Sequence, residues 1–252
     1  MRVGTRKCSY RVMPWDFWLV FLFLGVVIPW RGHVRLKKLL ALPSVDTKEK
    51  LALYAVTIGF QWILAGVVGW RALARGLRIA DLGLSPVGLI PVVAGLIGAI
   101  VIGGLQWVNL RRIGKMEGPA PDLLRKLAKR LLPVSLLEYL PYSALSITAG
   151  VCEEFLYRGF ALAAMSRSGT PVWLSVVLTS ILFGMAHAYQ GRAGILSTGL
   201  FGVLLALGRL GFGSLVPVMM WHAGLDLAAG AAAPRYLLRE SGENREEEII
   251  TG

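Results

Sequence analysis

Six ionisable side chains stand in or beside long apolar runs: Glu153, Glu154, Arg158, His187, His222 and Asp226. An ionisable group at the centre of a bilayer costs about 2.5–3.5 kcal/mol on insertion scales, so each needs a partner or a task. Spacing supplies some partners. Glu154 and Arg158 are four apart and share a helix face, where they can pair. Glu153 is turned about 100° from Glu154 on a regular helix and is free to face a different cavity. His222 and Asp226 are four apart, so a carboxylate can orient or charge the imidazole, and Phe183 and His187 repeat that spacing. In a dry setting a carboxylate can act as a general base, and an imidazole beside it can carry a proton or donate to a developing negative charge. Bland readings compete. Glu154–Arg158 can be a purely structural ion pair, and a lone membrane histidine is often a packing residue. Two histidines and an unpaired glutamate at similar depth point instead to one chemical site built from Glu153, His187 and His222. His33, the third histidine, lies in a basic stretch and reads as a solvated bystander.

These residues need elements to hold them. The chain has 252 residues and is 55% hydrophobic, above the roughly 45–50% of soluble domains. The excess comes in blocks, and a spanning helix needs about 20 mostly apolar residues. Blocks fall at Phe17–Ile28, Leu51–Trp70, Pro86–Val108, Val134–Met165, Pro171–Ala188, Ala193–Leu210 and Gly213–Ala232. Pro141 is expected to bend or restart the fourth, giving a span from about Tyr142 to Met165. Gly95, Gly98, Gly103 and Gly104 are expected to let the third pack closely. The fold class that follows is all-α, a polytopic membrane bundle of about seven transmembrane helices around a polar intramembrane cavity. One membrane domain fills 16–233, with its catalytic core at about 140–230. A basic tail precedes it over 1–15, and an acidic tail over 234–252, with Glu246, Glu247 and Glu248, reads as disordered.

Charge sets the orientation. The formal net charge is +12, with the heaviest basic load in the loop Arg31–Lys50 and the segment Arg111–Arg130. Both fall on one side, which the positive-inside rule makes cytoplasmic. The first run then enters from the other side, although its leading Arg2, Arg6, Lys7 and Arg11 are basic too; a first helix that is re-entrant or starts from the inside is the alternative. Pro29, Trp30 and Arg31 follow that run where a cleaved signal would carry small residues, so an uncleaved helix is expected. In the second basic segment Leu123, Leu124, Leu127 and Leu131 occupy one helical face and Arg125, Lys126, Lys129 and Arg130 the other. That is the pattern of a helix lying in the membrane interface, with a basic solvated loop as the alternative. The positive charge faces lipid headgroups, no nucleic-acid motif is present, and nucleic acid is not an expected partner. Cys8 and Cys152 suggest neither a disulfide framework nor a metal clip.

Three motifs carry a family resemblance. EEFLYR at Glu153–Arg158 resembles E-E-x-x-x-R, FGMAH at Phe183–His187 resembles F-x-x-x-H, and HAGLD at His222–Asp226 resembles H-x-x-x-N/D. In order, spacing and placement on apolar helices they resemble the CAAX protease and bacteriocin-processing (Abi) family, which includes the type II CAAX prenyl endopeptidases. The resemblance covers about residues 140–230. It implies an intramembrane glutamate endopeptidase in which Glu153 draws a proton from water and His187 holds that water or shuttles the proton. His222 and residue 226 would stabilise the oxyanion, and Glu154 and Arg158 would hold the helix and tune Glu153. Eukaryotic members carry Asn at the last position. Asp226 cannot donate to an oxyanion when ionised, so it orients His222 or stays protonated.

No cofactor is expected. Zinc is the mechanistic rival, since two histidines and carboxylates can bind it, but no H-E-x-x-H motif is present. Neither G-x-S-x-G nor G-x-G-D occurs, which speaks against serine and aspartyl mechanisms. The expected partners are the lipid bilayer and a membrane-anchored protein or peptide, cleaved near its terminus. The expected location is a bacterial inner (plasma) membrane, with the site open to the cytoplasmic side. The competing class is non-enzymatic: a bacteriocin-immunity or scaffold protein, or a small transporter using the same buried polar cluster. A transporter usually shows paired halves with broken helices, and no such symmetry is visible.

Overall fold

The computed structural model describes residues 12–238, and every regular element among them is helical. Arg2, Arg6, Lys7, Cys8, Arg11 and the acidic Glu246–Glu248 lie outside the described residues. Each of the seven apolar blocks falls largely within a helix. Four helical stretches are long and apolar enough to cross a membrane: Trp15–Ala41, Thr47–Ala74, Leu89–Ile113 and Ala188–Phe212. Val172–Ala186 is apolar but shorter. We label Trp15–Ala41 α1, Thr47–Ala74 α2 and Leu89–Ile113 α3. Pro119–Leu131 is α4, residues 136–167 are α5, Val172–Ala186 is α6, Gly191–Phe212 is α7 and Val216–Leu237 is α8.

Three expectations about boundaries change. The first block does not end in a loop at Arg31, because α1 runs on to Ala41. Pro29 lacks the N–H that a regular helix would aim at Gly25, and the chain absorbs this with a π-helical turn at Phe23–Val27 just before it. Pro141 does not restart the fourth block. It lies early in α5, which already begins at Leu136, where a lost hydrogen bond disturbs only the first turns. Pro234 likewise does not open a tail, since α8 continues through it to Leu237.

The core forms where α1, α2, α6, α7 and α8 meet the middle of α5. Phe17, Phe21, Val68, Cys152, Phe155, Phe160, Phe183, Leu205 and Val218 pack there. Phe17 sets its edge on Phe160 at 4.9 Å between ring centroids. α3 packs chiefly on α8. A Cβ added at Gly103 would stand 3.3 Å from the carbonyl of Gly224, and one at Gly224 would stand 2.9 Å from Ala99. Gly95 and Gly98 also lie against α8, whereas Gly104 faces open space and takes no part. The outer face of α3 exposes Ile90, Ile100 and Leu105, an apolar surface suited to lipid.

The basic stretches meet at one end, as their charge suggested. Arg130 donates to the carbonyls of Leu39 and Leu42. Lys50 donates to Leu132 and pairs with the buried Glu138 at 3.1 Å. The segment Pro119–Leu131 is indeed a helix; it buries Leu127 and sets Ala128 against Ala232, Ala233 and Leu237.

At the opposite end one loop residue ties three elements. The Asp81 carboxylate accepts from Arg78 and from Arg167 of α5, and its carbonyl accepts from Arg209 of α7 at 3.1 Å. Partial burial would raise the Asp81 pKa, but the hydrogen bonds and charges of Arg78 and Arg167 outweigh it and hold the carboxyl below its usual range. A depressed carboxylate pKa stabilises the fold above the unfolded value, about 3.9, and that gain disappears as pH falls through the folded value. Asp81→Asn should therefore lower stability by about 1–2 kcal/mol at pH 7, with the gap to the native protein closing below about pH 4. Thermal melts in detergent across that range test this; a gap unchanged at low pH would show that Asp81 acts by shape alone.

Candidate active site

The adjacent glutamates of α5 end its first α-helical part, and a π-helical stretch follows at Phe155–Ala161 before the α-helix resumes. π-turns inside helices occur often at functional sites because they redirect side chains. Here the two glutamates diverge as their 100° offset requires. Glu154 points inward and is fully buried, while Glu153 points to a half-open side at 21% exposure.

Glu154 is the hub of an ion triad. Its Oε1 accepts from Arg158 Nη1 at 2.8 Å and lies 2.8 Å from His222 Nδ1 on α8. Arg158 is fully buried, and its guanidinium lies 4.0 Å over the ring of Phe183. That cation–π contact serves a charge that sees no solvent. A Cβ at Gly202 of α7 would come 2.8 Å from Arg158 Nη2, so the missing side chain there makes room for the guanidinium. Gly150 serves α5 and α8 in the same way, since its Cβ would stand 2.7 Å from the carbonyl of Met219. The backbones of α5 and α8 must approach this closely for Glu154 to reach His222.

This refines the sequence reading of His222. The carboxylate that fixes its ring is Glu154, from another helix. Asp226, one turn along α8, lies 3.7 Å from His222 Nε2, beyond a direct hydrogen bond. The Asp226 side chain is 30% exposed, and its backbone carbonyl accepts from the buried Tyr142 hydroxyl at 3.1 Å.

The second group gathers around Glu153. Its Oε2 lies 4.0 Å from His187 Nε2. His187 sits just past the end of α6, where the chain turns through a short 3-10 segment at Ala188–Gln190. His187 Nδ1 lies 2.9 Å from the carbonyl of Phe183, which can only accept, so Nδ1 donates there and Nε2 is the ring nitrogen turned toward Glu153. Phe183 links both groups. Its ring meets His187 at 4.9 Å and His222 at 5.6 Å between centroids, in addition to carrying Arg158. The structure thus gathers Glu153, Glu154, Arg158, His187, His222 and Asp226 into one region, joined by contacts from four helices. His33 is exposed on α1 and stands apart.

Sequence reasoning missed Gln61. From α2 its Nε2 donates to Glu153 Oε1 at 2.8 Å, and its own Oε1 is buried without a hydrogen-bond partner among the described residues. The only signal was an amide in the middle of an apolar block. It missed Tyr189 as well, whose ring tilts over His187 at 5.8 Å and whose hydroxyl accepts from Gln190. Among the described residues no three His, Cys, Asp or Glu side chains are arranged to hold a metal ion.

Residues 135–228 match the family model described as Type II CAAX prenyl endopeptidase Rce1-like. The match takes in α5 to most of α8 and all three motifs, and it leaves α1–α4 outside. The family resemblance read from EEFLYR, FGMAH and HAGLD is thereby shown. The match supports, in general terms, a protease role in a lipid environment with a membrane-anchored substrate. No curated protein matches the chain, and no solved structure does.

The buried triad sets a stability test. Arg158→Ala strands Glu154 in an apolar interior and should cost about 3–5 kcal/mol. Arg158→Lys keeps the charge and should cost less. Melting temperatures of the two purified variants decide the matter; a normal melt for Arg158→Ala would show that the ion pair carries no structural weight.

Proposed function

We propose that the protein is an intramembrane endopeptidase that hydrolyses a peptide bond near the terminus of a membrane-anchored protein or peptide, using water activated by Glu153. The observation that supports this most is the division between the two glutamates. Glu154 is consumed by Arg158 and His222, whereas Glu153 keeps one oxygen turned to the open side, facing an imidazole 4.0 Å away.

The reaction follows from these placements. Gln61 holds Glu153 Oε1, leaving Oε2 free. A separation of 4.0 Å suits a substrate water that donates to both Glu153 Oε2 and His187 Nε2. The water oxygen attacks the scissile carbonyl carbon as its proton passes to Glu153. The tetrahedral oxyanion then collapses, the C–N bond breaks, and Glu153 returns the proton to the leaving amine. His222 has Nδ1 committed to Glu154, so Nε2 is the nitrogen that faces the substrate. Donation from it to the oxyanion requires the imidazolium form. Asp226 as a carboxylate has no proton to give, and its place 3.7 Å from Nε2 fits it to orient or balance His222.

We place the basic end of the bundle in the cytoplasm, on the positive-inside rule, and the protein in a bacterial plasma membrane. We read α5, α6 and α8 as crossing with the four long apolar helices, which makes seven, and the site as a polar cavity open toward the cytoplasm. The chemistry needs no metal. Activity should survive a zinc chelator such as 1,10-phenanthroline; loss restored by added zinc would move the assignment to a metalloprotease.

Glu153→Gln should keep the fold and its contact with Gln61 while lowering cleavage by about 100- to 10,000-fold, the range lost with a general base. Membrane peptidomes of cells carrying the native protein or Glu153→Gln provide the test. A terminus produced only by the native protein establishes proteolysis and names the substrate. Retained cleavage by the variant would sink Glu153 as the base, and no difference with both proteins expressed would favour the immunity, scaffold or transport class. Gln61→Leu should lower kcat about tenfold with little change in KM, because it frees the base to rotate without touching the substrate; a pure KM effect would assign Gln61 to binding instead.

A further inference from the structure

The segment of α1 that follows Pro29 has no part in the proposed reaction, yet it forms a groove. Trp30, Arg31, Val34, Arg35 and Lys38 line a cavity of about 300 Å³ open to the outside. Arg31, Arg35 and Lys38 recur at helical spacing and so share one face. None of the three pairs with a carboxylate among the described residues. Two are nevertheless positioned. The Arg31 guanidinium lies 4.2 Å over the ring of Phe60, and Arg35 Nη1 donates to Thr57 Oγ1 at 3.3 Å, both on α2. This part of α1 packs against α6 and the turn after it rather than along α2, so the long cations bridge the gap that remains.

Depth gives the groove its setting. At 1.5 Å per residue from Trp15, Arg31 stands about 24 Å along α1 and Lys38 about 34 Å. The hydrocarbon core is about 30 Å thick, so the face straddles the boundary where lipid phosphates lie. Trp30, exposed beside it, is the residue type that settles at that level.

We propose that this groove binds the headgroup of an anionic phospholipid. The phosphate sits among Arg31, Arg35 and Lys38, and Trp30 and Val34 flank the first carbons of the acyl chains. A solvated basic face would leave its arginines loose; here an aromatic ring and a hydroxyl of the neighbouring helix hold two of them. The same segment backs onto the candidate site, since a Cβ at Gly32 would stand 3.6 Å from the Tyr189 ring. A bound lipid therefore braces the turn that carries His187.

The test uses the full chain in nanodiscs of phosphatidylcholine with or without phosphatidylglycerol, and reads retained anionic lipid by native mass spectrometry together with the melting temperature. Each cation in direct contact with the bound phosphate is worth about fivefold in affinity, so the triple variant R31Q/R35Q/K38Q should lose about a hundredfold. The charge-preserving R31K/R35K/K38R should keep most of the binding. R111Q/R112Q removes two exposed cations from another helix at the same end and should lose little. Should the triple glutamine variant not purify folded, R31Q and K38Q singly should each show the fivefold loss. An equal loss in R111Q/R112Q would overturn the proposal in favour of diffuse surface attraction. Soluble glycerol phosphate reproducing the phosphatidylglycerol melt in detergent would overturn it in favour of a free phosphate.

Discussion

A carboxylate, a guanidinium and an imidazole without solvent are tolerable only as a set. Arg158 in the interior would be prohibitive without Glu154, and Glu154 equally so without Arg158. His222 makes the set a cross-link, because it reaches the same oxygen of Glu154 from another helix. Much of the local architecture answers to this requirement. Gly150 brings the backbones of α5 and α8 within reach, Gly202 clears space beside the guanidinium, and Phe183 gives the cation a ring to lie on. A side chain added at either glycine would push apart groups whose charges cancel only at contact.

On the proposed mechanism the triad also accounts for two adjacent glutamates. A single carboxylate cannot both neutralise a buried arginine and remain free to take a proton. Successive helical residues point about 100° apart, so the pair divides the tasks between two faces of one turn. Glu154 holds the frame. Glu153 is left with a neutral partner, Gln61, which steadies one oxygen without adding a charge. The π-helical stretch that follows changes the pitch directly after the pair and sets the depth at which Arg158 meets Phe183.

What could be read from the chain alone divides along the same lines. Apolar blocks mark the helices because lipid and core both demand them, and ionisable residues inside those blocks mark the site because their cost must be explained. Spacing within one helix is visible too, so Glu154 with Arg158 was legible. Distances between helices are not written in any spacing. His222 pointed to Asp226, its neighbour four residues on, while the shorter contact goes to Glu154, far away in sequence. Gln61 stayed hidden because one amide in an apolar run has no periodicity and little cost. Arg31–Lys38 looked like a loop because its charges mask a helix whose apolar side is narrow.

The length of α6 closes the account of the site. Its 15 residues span about 22 Å, several ångströms short of a hydrocarbon core about 30 Å thick. If α6 crosses as proposed, a helix that begins at the outer boundary ends before the inner one, and the chain turns inside the membrane. Irregular backbone at that depth is tolerated only where protein covers it or a polar space lies beside it. The turn satisfies its own groups, with His187 N–H donating to Gly184 and Gln190 N–H to His187, and Gly191 at φ +80° restarts the next helix. α1 covers it on one side at Gly32. On the other side His187 faces Glu153. A full-length helix would have carried this position on in regular register, with its backbone committed to the helix. On the proposed topology, the shortness that kept α6 out of the set of long apolar spans is thus what lets a histidine meet a glutamate beneath the membrane surface.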